Sequence, residues 1–208
     1  KLRHNRDYLA LIRDQPLGFA PGTSERYSNG GYVLLGEVIA KASGEDYYDY
    51  LARHVFAPAG MTATSAPVQG DGTPNLARGY TRDGRPGGPE RDNMSTRPAR
   101  GSAAGGSYST ARDLLALDRA LAAGTLCSPA WSAWAVGGPR PDRGSAAGAP
   151  EAAEFGFAGG APGIATEWMC PGDVTLIVLT NRDPETTGPV LEAVRGLLRR
   201  MKPSPSRP

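Results

Sequence analysis

Apolar residues recur at helical spacing along several stretches of the chain and run together along two others near its end. Asp7-Tyr8-Leu9-Ala10-Leu11-Ile12-Arg13 is a short amphipathic helical pattern, ended by Pro16. From Asn29 or Gly30 to about Ala42, the recurrence of Tyr32, Leu35, Val38 and Ile39 at helical spacing predicts a helix, stopped by Ser43-Gly44. A second helix is predicted over about Glu45 to His54, with Tyr47, Tyr50, Leu51 and Val55 on one face. Its end is expected at Phe56 to Met61, where Pro58 interrupts helical hydrogen bonding. Residues 62–106 read as loops, with at most short strands near Ala77 to Tyr80. Thr110-Ala111-Arg112-Asp113 has the form of a capping box before Leu114, Leu117 and Leu121, and Gly124 supplies the stop. Ile164 to Cys170 and Val174 to Thr180 flank Pro171-Gly172 and predict an antiparallel hairpin whose second strand lies inside a sheet. Pro189 suits the first turn of a last helix that turns Val190, Val194, Leu197, Leu198 and Met201 to the core, and Lys202 to Pro208 is expected to be a disordered tail. Helices come early and strands late, so the fold class is α+β.

Composition narrows the function classes. At 208 residues the chain is long enough for one domain, or most of one, with a real core. A net charge of +2, with charged residues at 21%, gives no field that would point to nucleic acid or a membrane surface. No apolar run has the length of a membrane span. Glycine and proline cluster over 70–106 and 137–150, as in long loops. Cys127 and Cys170 could pair or could be separate thiols, and two cysteines leave the compartment open. They lack CxxC spacing, so no metal or other cofactor is expected. His4 and His54 have no partner pattern, and His54 reads as a helix-end residue facing the negative end of a helix dipole. Arg195, Arg199 and Arg200 read as a solvated helix face. The chain opens inside its first helical pattern with no initiator Met or signal sequence, and residues upstream of Lys1 are therefore expected.

The candidate chemistry starts at Tyr27-Ser28-Asn29. The Pro21-Gly22 turn delivers a phenol and a carboxamide to the entry of an apolar helix, where free backbone N–H groups and the helix dipole favour negative charge. The stretch Phe19 to Met61 resembles the second active-site motif, with its flanks, of class C β-lactamases and their DD-peptidase and esterase relatives. Ala103 to Leu114 resembles the family's glycine turn and the helix that follows. Gly156-Phe157-Ala158-Gly159-Gly160-Ala161-Pro162-Gly163, followed by Leu176 to Asn181, resembles the third-motif strand and its neighbour.

The resemblance implies a β-lactamase/transpeptidase-like fold, with residues 1–201 as the C-terminal portion of one domain. It implies a serine hydrolase that cleaves amide, peptide or ester bonds in a small-molecule or peptide substrate through an acyl-enzyme. Tyr27 would be the base, and Asn29 would orient substrate. Phe157, Gly159 and Gly160 would line the substrate strand, with the Gly160 N–H as an oxyanion donor. Two departures stand out. Position 157 holds Phe where the family usually has His or Lys, and the nucleophile motif Ser-x-x-Lys is absent from the chain. A tyrosine working as a base near pH 7 needs its anion favoured by roughly 4 kcal/mol, of which a helix N-terminus supplies about 0.3–1. Without those cations the chain alone is expected to be inactive. The rival expectation is a non-catalytic homologue that serves as a binding or scaffold domain. The family's periplasmic or secreted setting is a further expectation, and the oligomeric state is left open.

Overall fold

The opening pattern folds as a 3-10 helix, Asn5–Leu11, and the apolar run after the Tyr-x-Asn triplet folds as helix α1, Asn29–Ser43. The computed structural model describes residues 2–136, 138, 141, 154–171, 174–198 and 200. The predicted tail and Met201 lie outside them, as does most of the loop over 137–150. Contacts divide the chain into two units. The first comprises residues 1–57, 63–76 and 97–109, and the second residues 58–62, 77–96 and 110–208.

In the first unit Asn5 is the joint. Its side chain is 2% exposed and fully used: Nδ2 donates to the Val33 carbonyl (2.9 Å) and Glu37 Oε1 (2.8 Å), and Oδ1 accepts from the Ala103 N–H (2.9 Å). The 3-10 helix thereby docks on the side of α1 that carries Val33 and Gly36. A Cβ at Gly36 would come within 2.6 Å of Ala103 Cβ and 2.7 Å of Asn5 Nδ2, so only glycine allows this approach. Val33 and Gly36 are buried, whereas Leu35 and Val38 are 56% and 60% exposed. The helix is apolar around much of its circumference, and its bare glycine side admits the closest neighbour. Gly44, left-handed at φ 74°, ends α1 as expected.

Asp46 caps helix α2 (Tyr47–Leu51), and Tyr48 is its buried residue. The Tyr48 hydroxyl donates to the Gly101 carbonyl at 2.5 Å, and the Arg100 guanidinium lies 3.5 Å from the ring centre. Burial pushes this phenol up to about 12, against the opposing pull of Arg100. The helical path ends at Ala59, within the expected stretch, but it continues through Pro58. A π-helical turn, Ala52–Phe56, leads into the short α3, Ala57–Ala59, which contains Pro58. The wider turn shifts the bonding register, with the Ala57 N–H donating to the Ala52 carbonyl, and so accommodates a residue that has no N–H. His54 sits within this turn, its Nε2 2.8 Å from Glu45 Oε1, and does not end the helix.

The second unit holds a two-stranded ribbon, β1 (Tyr80–Thr81) with β2 (Arg91–Asp92), and a three-stranded antiparallel sheet. The sheet order is β3 (Glu154–Ala161), β4 (Ile164–Pro171), β5 (Leu176–Thr180), so the predicted hairpin is present as β4–β5. Helix α4 (Ala111–Ala122) is capped by the Thr110 hydroxyl, which accepts from the Asp113 N–H. The α4 residue Asp118 accepts from the Cys170 thiol (3.3 Å) and the Thr175 hydroxyl (2.8 Å). Helix α5 (Pro129–Ala135) was not foreseen, although Ser128-Pro129 is a helix-start signal.

Helix α6 (Gly188–Leu198) sends Arg195 to Glu167 Oε1 (3.1 Å) and Met169 Sδ (3.1 Å). Cys170 differs in strand parity from Glu167 and Met169, so α4 and α6 cover opposite faces of the sheet. The phase of α6 also differs from expectation. Leu191 is buried, Val194, Arg195 and Leu198 are half-buried, and Val190 and Leu197 are exposed. The inner face therefore runs i, i+3, i+4, i+7 from Leu191, and Arg195 belongs to it instead of a solvated face.

Candidate active site

The first group of candidate residues forms at the entry to α1. Gly22, at φ 81°, turns the chain, and the Thr23 N–H and hydroxyl both donate to the Ala20 carbonyl. Residue Ser28 is then extended, and its hydroxyl accepts from the Gly31 N–H at 3.2 Å, making it the helix cap. Tyr27 and Asn29 flank that cap. The Tyr27 hydroxyl donates to Asn29 Oδ1 at 2.9 Å, and the Tyr27 ring lies 5.7 Å from that of Tyr32. Tyr27 is 72% exposed. The hydrogen bond turns the two Asn29 N–H donors away from the phenol, where a substrate carbonyl could meet them. The sequence paired Tyr27 with Asn29 and passed over Ser28, whose signal was a serine directly before the first helical residue.

The second group lies on β3 in the other unit. The Pro162-Gly163 turn closes on the Ala161–Ile164 pair, and bonded and non-bonded pairs alternate from there. Ala158 and Gly160 therefore direct their backbone N–H and C=O groups to the far edge of β3, which pairs with β4 alone among the described residues. A Cβ at Gly159 would meet Thr166 Oγ1 at 2.9 Å, and one at Gly160 would meet Pro184 Cγ at 3.1 Å. Phe157 is 57% exposed and stands opposite Trp168, with ring centres 5.9 Å apart. Trp168 itself is buried.

Two residues that sequence reasoning missed hold the turn at the end of this strand. Asn93, fully buried, donates from Nδ2 to the Pro162 carbonyl at 2.9 Å. Asp183, 7% exposed, accepts from the Gly163 N–H and the Arg82 N–H, each at 2.7 Å, and from the Thr81 hydroxyl. Burial alone would raise the Asp183 carboxyl. Its donors outweigh burial and hold it below the usual carboxylate range. Its only sequence signal was an Asp directly before Pro184 at the end of a strand.

Cys127 and Cys170 are both free thiols. Burial, and then the hydrogen bond and charge of Asp118, push the Cys170 thiol up. Among the described residues no group of His, Cys, Asp and Glu is placed to hold a metal ion, and no helix is long and apolar enough to cross a membrane.

A sequence model of the β-lactamase family matches residues 1–199. Mouse mitochondrial serine beta-lactamase-like protein LACTB is 36% identical over 83 residues, 38% of this chain and 14% of that protein. The D-aminopeptidase of Brucella ovis is 37% identical over 73 residues, 35% of this chain and 14% of that protein. Among solved structures, a penicillin-binding protein from Bacillus halodurans superposes with a TM-score of 0.80 at 24% identity, over 94% of this chain and 62% of that one. The chain thus spans less than two thirds of these relatives' length, and its helices and antiparallel sheet follow the β-lactamase/transpeptidase-like fold. With the match running over 1–199, the chain belongs to the β-lactamase family.

Proposed function

We propose that this chain is the C-terminal portion of a serine hydrolase that cleaves amide, peptide or ester bonds through an acyl-enzyme, and that without a Ser-x-x-Lys motif it is inert alone. The observation that carries this reading is the Tyr27–Asn29 pair, hydrogen-bonded at 2.9 Å across the capped entry of α1. There the phenol can take a proton from a nucleophilic alcohol or water once a cation on added polypeptide favours its anion. Asn29 would hold a substrate carbonyl at this helix entry. On β3, taken by itself, Gly160 presents an outward N–H of the kind that suits an oxyanion. Intact mass spectrometry after incubation with a fluorescent penicillin or a fluorophosphonate is expected to find no adduct on this chain. A stoichiometric adduct on any serine would overturn the reading. A second reading, a non-catalytic homologue that binds a ligand, is favoured by Phe157, which places a phenyl ring on the substrate strand where a cation would serve catalysis. An upstream coding sequence with Ser-x-x-Lys decides for the enzyme, and one without it decides for the binder.

A further inference from the structure

Phe157 gives the open edge of β3 a chemical preference. The buried Trp168 backs its ring at 5.9 Å between centres, while more than half of Phe157 remains open to solvent. The backbone groups of Ala158 and Gly160 project along the same strand from the edge that pairs with no strand among the described residues. An extended ligand bonded to that edge sets its neighbouring group against a phenyl ring. A carboxylate in that position gives up hydration and receives no positive charge from residue 157, whereas an apolar group removes its own surface and the ring's from water.

We propose that this subsite selects an uncharged, apolar substrate terminus, such as an aryl amide or alkyl ester, over a free carboxylate. This inference rests on the reading of β3 as the substrate strand. The test uses the whole chain, 15N-labelled, titrated with N-acetylphenylalanine amide and with N-acetylphenylalanine carboxylate, following the Gly159 and Gly160 amide resonances. The expected result is binding of the amide about tenfold tighter than of the carboxylate, with Phe157→Lys inverting that order and Phe157→Leu preserving it. Equal affinities, or a carboxylate preference in the wild type, overturn the inference while leaving β3 as the binding strand. Unmoved Gly159 and Gly160 resonances with both ligands overturn the strand assignment as well.

Discussion

Replacing Asp183 with alanine tests whether one carboxylate organises the turn behind the glycine strand. The substitution strips the acceptor from two backbone N–H groups, those of Gly163 and Arg82, and from the Thr81 hydroxyl, on a residue 1% exposed. Each buried donor left without a partner costs about 1–3 kcal/mol, and water entering the small void returns part of it. The net loss is expected to be about 3–5 kcal/mol, a large fraction of the roughly 5–15 kcal/mol of a typical domain. Asp183→Asn keeps one carbonyl oxygen and should lose about half as much. Urea unfolding followed by tryptophan fluorescence reads the midpoint and slope for all three proteins. The pH dependence adds a second arm. The Asp183 carboxyl titrates lower folded than unfolded, so its contribution is present above about pH 4 and disappears as pH falls through the depressed folded value. The alanine variant should therefore lose less stability on acidification than the wild type. A midpoint loss equivalent to less than about 1 kcal/mol in Asp183→Ala would refute the assigned role.

Three further outcomes follow from described contacts. Gly36→Ala forces a methyl to within 2.6 Å of Ala103 Cβ, and overpacking of about 1–3 kcal/mol should outweigh a helix-propensity gain of about 1, lowering the melting temperature. An unchanged or raised melting temperature would show that the 3-10 helix does not seat on α1 as described. Tyr48, titrating at about 12 folded against about 10 unfolded, contributes stability that is complete below pH 10 and drains away as pH rises through about 12. Ultraviolet titration of wild type and Tyr48→Phe should differ by one late-ionising phenol. Iodoacetamide at mildly alkaline pH should alkylate the exposed Cys127 about tenfold faster than Cys170, since burial and Asp118 disfavour the Cys170 thiolate. Peptide mass mapping of a time course measures both rates, and equal rates would contradict the Cys170 environment.

Local features were legible in the sequence because their determinants are local. Tyr27 and Asn29 are two residues apart, and the Thr110 cap bonds three residues along. The β4–β5 hairpin announced itself by β-branched runs around a turn. What the sequence hid depends on distant partners. The buried side of α1 is chosen by Asn5, 28 residues from Val33, and an apolar helix offers no stripe that reveals such a choice. Asp183 meets Arg82 across 101 residues, so a lone Asp before Pro184 gave no sign of its role. The inner face of α6 was misread because an arginine occupies it, and Arg195 belongs there only because Glu167 and Met169 of β4 receive it. Pro58 was misread because the π-helical turn that admits it leaves no composition signature.

The outward-facing Leu34, Leu35 and Val38 of α1, with Leu11, Leu17 and Phe19 also exposed, have a calorimetric consequence. Unfolding releases little new hydrocarbon to water from a unit whose hydrocarbon is already wet. The heat-capacity increment of this chain should accordingly fall below the usual ~12–15 cal/mol/K per residue, giving a flatter stability curve with weak cold denaturation.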